Sequence, residues 1–106
     1  IDDVAVDNPE LKIVICHVGN PWIKDCMEVV YKNANVHADI SGLVLGDFSD
    51  HFEQYMKNEL QEMILYAGEP KYLLYGTDWP ISSMRSYLAF MKQLDLHEDK
   101  KELIMW

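Results

Sequence analysis

Three short segments of this chain carry the residue types that chemistry needs: His17 with Val18 and Gly19, Asp39 with Ser41 and Gly42, and Gly76 with Thr77, Asp78, Trp79 and Pro80. An imidazole and a carboxylate are donors that a hard or borderline divalent ion takes, and either can serve a water molecule as its base. His17 and Asp78 are therefore the candidate catalytic residues and the candidate metal ligands. Ser41 and Trp79 are candidate substrate contacts, and Asp39 either orients a substrate or satisfies backbone groups. Without further context, His17 reads first as a core histidine bonded to a carbonyl, and Asp78 as a turn residue. His37 reads as strand packing, His51 and His97 as solvated helix starts, and Trp22 as a packing anchor that could also wall a site.

Such side chains act together only if the backbone delivers them to one place. Residues 12–17 (KIVICH) form a β-branched, nearly unbroken apolar run, which suits a parallel strand covered on both faces. Asn20 then offers an N-cap and Pro21 a first helical position, and Ile23, Cys26, Met27 and Val30 follow at helical spacing. The cycle repeats with residues 35–41 (NVHADIS) as a second strand and a Gly-containing loop over 42–47. A long helix follows, marked by Phe52, Tyr55, Met56, Leu60, Met63, Ile64 and Ala67 and stopped by Gly68 and Pro70. Residues 72–77 (YLLYGT) give a third strand, Ser82 or Ser83 caps a third helix that runs to Leu94, and a fourth begins at Glu98. The order βαβαβαα implies right-handed crossovers and a parallel α/β sheet, either doubly wound or a slice of a barrel. Both architectures gather their chemistry at strand C-terminal ends, and each of the three segments lies at one.

Alternation along a strand assigns the faces, because residues i and i+2 point the same way. An inward His17 puts Ile13 and Ile15 beside it and turns Val14 and Cys16 toward the helices. An inward Asp78 takes Leu74 and Gly76 with it, leaves Leu73 and Tyr75 packing outward, and gains open space at Gly76. Cys16 and Cys26 read as reduced core thiols, since the chain has two cysteines and no CxxC. Residues 1–6 resemble the tail of a preceding helix, and Leu103, Ile104 and Trp106 stop in mid-helix, so both ends look cut. The 106 residues read as a single domain, too short for a complete β/α barrel of about 250 residues.

Composition narrows the partners. A net charge of -9, a pI near 4.6 and lysines scattered beside acids repel a phosphate backbone, so no nucleic-acid partner is expected. No apolar run reaches the roughly 20 residues of a membrane span, and residues 1–10 lack the basic start and apolar stretch of a leader. A soluble cytoplasmic chain with no membrane partner is expected. The first strand-to-helix turn lacks both GxGxxG and the P-loop lysine, which ranks a nucleotide-binding domain last among the readings.

Taken in order, PELKIVICHVGNPW, NANVHADISG, YLLYGTDWP and the closing LDLHEDKKELIMW resemble the C-terminal half of the amidohydrolase superfamily, in the branch that includes aminocarboxymuconate semialdehyde decarboxylase. The likeness covers almost the whole chain. It rests on an HxG, an aspartate-serine-glycine run and a G-[ST]-D-x-P, each weak alone and stronger in register. It implies a TIM-type barrel of which this chain supplies about strands six to eight. It also implies a divalent metal ion, zinc being the first expectation, and a small carbonyl-bearing substrate attacked through metal-activated water, or decarboxylated in some members. Asp78 matches the strand-eight aspartate that binds the metal and accepts a proton from its water. His17 matches the strand-six histidine, which holds a second metal or acts as acid, base or electrophile. The HxH of the first strand, the histidine of the fifth and a carboxylated lysine are missing from this sequence. The isolated chain is therefore expected to be inactive and to associate with the rest of the barrel or as a homo-oligomer. The alternative is a non-catalytic half-barrel that needs a partner to supply the missing strands.

Overall fold

The computed structural model of the chain describes residues 1–105. A short helix α1 (Asp2–Asp7) precedes strand β1 (Ile13–Ile15), a 3₁₀ turn over Cys16–Gly19 and helix α2 (Ile23–Lys32). Strand β2 (Val36–Asp39) leads through a long loop to helix α3 (Asp50–Ala67), and a 3₁₀ turn at Pro70–Tyr72 opens strand β3 (Leu73–Leu74). Helices α4 (Met84–Gln93) and α5 (Glu98–Met105) finish the chain. The strands form one parallel sheet in the order β1-β2-β3. The expected alternation of elements is present; Trp106, read as part of the last helix, lies outside the described residues.

Periodicity left two architectures open, and the distribution of apolar side chains decides between them. Val36, Ala38, Ile40 and Leu73 from the strands share one core with Ile23, Cys26, Met27 and Val30 of α2, Met56, Leu60, Met63 and Ile64 of α3, Tyr87, Phe90 and Met91 of α4, and Ile104 of α5. The other face of the sheet carries Val14, paired with His37, and Asp39, paired with Leu74. Val14 there is 47% exposed, and His37, Asp39 and Leu74 are only partly covered. Helices cover one face and leave the other open, which is the arrangement of a barrel wall and not of a doubly wound sheet.

Local chemistry explains where the elements stop. Gly68 ends α3 with φ 78, a left-handed backbone that glycine takes without a side-chain clash. Ser83 caps α4, its hydroxyl accepting from the Ser86 amide at 3.3 Å. Ser82, the other candidate cap, is buried and donates to the Val44 carbonyl instead. The expected cap at Asn20 and first position at Pro21 are corrected: the turn over Cys16–Gly19 continues, with the Trp22 amide on the Gly19 carbonyl at 2.8 Å, and α2 starts at Ile23. The third strand is shorter than its apolar run because it has one strand neighbour; the Tyr75 amide goes to the Ile104 carbonyl of α5 at 2.8 Å.

The two thiols part company. Cys26 is buried, as expected, and burial pushes its thiol up to about 11. Cys16 is exposed, which corrects its reading as a core thiol. With a small thiol reagent at about pH 8, Cys16 should react while Cys26 stays shielded until the core opens. Equal labelling of both in the folded chain would contradict this packing.

Candidate functional site

His17 reaches the open face by an unexpected route. Strand β1 ends at Ile15, and His17 (φ 59, ψ 31) and Val18 (φ 46, ψ 29) both take left-handed backbone. This breaks the i, i+2 alternation, so the expected faces are reversed within β1. Ile13 and Ile15 pack against the helix-side core, and Val14 and Cys16 turn away from it. Two non-glycine residues in this region cost about 2–6 kcal/mol together. Full burial of Val18 offsets roughly 1.5–3 kcal/mol of that, and a charge-assisted hydrogen bond about as much again. Together they match most of that range, and the hydrogen bond is present: the His17 amide donates to Asp39 Oδ1 at 2.9 Å.

Asp39 Oδ1 is the hub of the site. Besides the His17 amide, it accepts from the Ser41 amide at 3.0 Å and the Ser41 hydroxyl at 2.6 Å. Partial burial works against the charge on Asp39, but the Ser41 hydroxyl, the His17 amide, the Ser41 amide and the nearby imidazole together hold its carboxyl below the ordinary 3.8. His17 Nδ1 meets the Ser41 carbonyl at 2.8 Å and the Ser41 hydroxyl oxygen at 3.1 Å. The ring lies directly on Gly42, where an added Cβ would come within 2.3 Å of Cε1, at a backbone φ of 62. Gly42 is thus required twice, by its backbone and by the imidazole.

The third segment joins through Ser41. A Cβ on Gly76 would stand 3.2 Å from the Ser41 Cβ, so the open space expected beneath Asp78 is filled by Ser41. Leu73 and Tyr75 do pack outward into the helix-side core, as alternation required. Asp78 follows with φ 61, its carbonyl accepting from the Ile81 amide at 3.0 Å and the Ser82 amide at 3.3 Å, while its side chain is exposed. The loop after β2 is tied to this turn. The Gly46 amide donates to the Ile81 carbonyl at 2.9 Å, the Ser83 amide to the Gly46 carbonyl at 2.8 Å, and the Leu43 amide to the Tyr87 hydroxyl at 2.7 Å.

His17, Asp39 and Ser41 are in direct contact, with Gly76 packed on Ser41. No hydrogen bond joins Asp78 or Trp79 to this group among the described residues. Trp79 is 68% exposed, its amide donating to the Thr77 hydroxyl at 3.2 Å. The Asp39 carboxylate holds the exposed Cys16 thiol above its usual range. Burial pushes the Tyr87 hydroxyl up to about 12 against its bond to Leu43, and the charges of Asp78 and Asp39 add to the rise. Asp39 ends β2 and Asp78 follows β3, the strand paired with it.

As a metal centre this group is incomplete. Among the described residues no three His, Cys, Asp or Glu side chains gather to hold an ion. His17 Nε2 and the Asp78 carboxylate have no hydrogen-bond partner among the described residues, and they are donor types a divalent ion accepts. They fit as part of a ligand set and do not fill it.

A parallel sheet with helices on one face and donors at its strand ends is the wall of a β/α barrel. The amidohydrolase family model matches residues 1–106, and the chain belongs to that family. The folds agree. An amidohydrolase from Burkholderia multivorans, with bound HEPES, superposes with a TM-score of 0.78 at 16% identity over 99% of this chain and 45% of that one. A dihydroxybenzoic acid decarboxylase from Polaromonas sp. JS666, with bound manganese and 2-nitroresorcinol, gives 0.64 at 20% identity over 94% and 32%. A 5-carboxyvanillate decarboxylase from Sphingomonas paucimobilis gives 0.64 at 20% over 91% and 31%. The chain therefore spans less than half the length of each of these structures. No curated protein matches it.

Two measurements check the hub. Gly42→Ala forces a side chain into the imidazole at a positive φ and should cost more than about 1 kcal/mol in denaturant unfolding, where a change within error contradicts the packing. Asp39, with its carboxyl lower in the folded than in the unfolded chain, contributes stability above pH 3.8 that is lost as pH falls through the folded value. Asp39→Asn should flatten that acid limb of the stability curve; an unchanged limb would show that other carboxylates account for it.

Proposed function

We propose that this chain is the C-terminal portion, about strands six to eight, of the TIM-type barrel of a metal-dependent hydrolase that acts on a small carbonyl-bearing substrate through activated water. One observation supports the reading: an imidazole whose Nδ1 is engaged and whose Nε2 has no partner among the described residues stands after one strand, and an exposed carboxylate follows another. A divalent ion held there would polarise a carbonyl oxygen and lower the pKa of a water. In this reading Asp78 contributes one ligand and takes the proton the water loses. His17 contributes Nε2, as a ligand or as an acceptor or donor toward the substrate oxygen. Ser41 holds His17, and Trp79 borders the substrate.

Missing ligands would come from the strands that complete the barrel, and the open face and the two edges of a three-stranded sheet are the surfaces those strands would cover. We place the rest of the barrel there, as the partner that makes the site whole. Nitrogen and oxygen donors suit zinc, the ion expected from the resemblance, and suit manganese equally, the ion bound in the Polaromonas decarboxylase.

Decarboxylation is the second reading, favoured by the two aromatic-acid decarboxylases among the similar folds. A divalent ion held by the same donors would then bind the substrate's carboxylate side, and the carbon that loses carbon dioxide would take a proton in its place.

In the longer protein that contains this chain, Asp78→Asn should lower bound metal and cut kcat by roughly 10²–10⁴-fold, the range of a lost general base. His17→Ala should cut kcat comparably. Both variants keeping full metal content and turnover would remove the assignment. Release of carbon dioxide from hydroxybenzoates, with no hydrolysis of esters, lactones or amides, would select the second reading.

A further inference from the structure

We propose that Asp39 is a positioning residue: acting through Ser41, it commits the neutral imidazole of His17 to the form protonated at Nδ1 and so presents an unshared electron pair at Nε2. The geometry around Nδ1 leaves one choice of proton. The Ser41 carbonyl, 2.8 Å away, can only accept. The Ser41 hydroxyl oxygen, 3.1 Å away, could donate or accept if its own proton were unassigned. That proton is assigned, because the hydroxyl donates to Asp39 Oδ1 at 2.6 Å. Both oxygens facing Nδ1 therefore present lone pairs, and the nitrogen between them must carry hydrogen.

The same carboxylate oxygen fixes the frame in which this happens. It accepts the Ser41 amide at 3.0 Å and the His17 amide at 2.9 Å, so the chain segments bearing ring and carbonyl are referenced to one atom. Gly42 completes the seat, since any Cβ there would stand 2.3 to 2.9 Å from three ring atoms. The consequence concerns Nε2. With hydrogen on Nδ1, Nε2 is a base or a ligand; with hydrogen on Nε2, it could be neither. The inference deepens the reading of His17 as a site residue, and depends on it only for what the Nε2 pair meets.

The tautomer is observable without metal or substrate, in long-range proton–nitrogen correlation spectra of the ¹⁵N-histidine-labelled longer protein, freed of metal, at about pH 9, where imidazoles are neutral. His17 should show a pyrrole-type Nδ1 and a pyridine-type Nε2. Asp39→Asn keeps an oxygen that can accept from the same three donors and should preserve the pattern. Asp39→Ala, which releases the Ser41 amide and hydroxyl together, should move the population severalfold toward the Nε2–H form that free histidine favours, and Ser41→Ala, which keeps the Ser41 carbonyl, should move it in the same direction by less. A wild-type His17 protonated at Nε2 overturns the proposal outright. So does a folded Asp39→Ala or Ser41→Ala chain with its Nδ1–H population undiminished; if Asp39→Ala fails to fold, the wild-type and Ser41→Ala spectra decide. If the tautomer is as expected and zinc or manganese binds the longer protein without moving the Nε2 resonance, the inference stands and the metal-ligand role of His17 falls.

Discussion

A single carboxylate oxygen holds this site together. Asp39 Oδ1 takes hydrogen bonds from the backbone at the end of one strand and from the backbone and side chain that follow the next. Without it, His17 and Val18 would sit in left-handed backbone with only the burial of Val18 to offset the strain. With it, the imidazole is seated on Gly42, and Ser41 is left in contact with Gly76 on the third strand end. The spatial order His17, Ser41, Gly76 is the physical form of three motifs that are separate in the sequence.

The sheet supplies the second constraint. One face is buried under helices in a common core rich in Leu, Ile, Met, Tyr and Phe. The opposite face carries exposed Val14 and partly covered His37, Asp39 and Leu74, between two strand edges. Parallel sheets bury both faces. The chain belongs to the amidohydrolase family, and its sheet superposes on part of each similar fold.

Much of this was legible in the residues. The helix stripes of Ile23, Cys26, Met27 and Val30, and of Met56, Leu60, Met63 and Ile64, are buried as their spacing required, because an amphipathic period is a direct record of which face meets the core. His17 and Ser41, singled out by residue type and strand-end position, are brought into contact. What failed was the parity of β1: alternation assumes extended backbone, and two positive-φ residues reverse the face that His17 reaches. Val18 gives no warning of this, since β-branched residues rarely adopt such a conformation. Asp39 was underestimated for a different reason. A side chain that bonds backbone amides leaves no periodic trace, and its only signal is the spacing of an aspartate two residues before a serine and three before a glycine, the composition of a side-chain-stabilised turn. The role of Gly76 was misread because its freedom from a side chain serves Ser41 and not a ligand.

The central claim is that His17 and Asp78 serve one cavity at the C-terminal ends of the strands. Its most direct test is the anomalous-scattering position of manganese in crystals of the longer protein. The account predicts an ion bound by an Asp78 carboxylate oxygen at about 2.0–2.2 Å, as for carboxylate ligands of such ions, with His17 Nε2 directed at that ion or at a molecule beside it. An ion seated elsewhere, or His17 and Asp78 turned to opposite faces of the sheet, would contradict it.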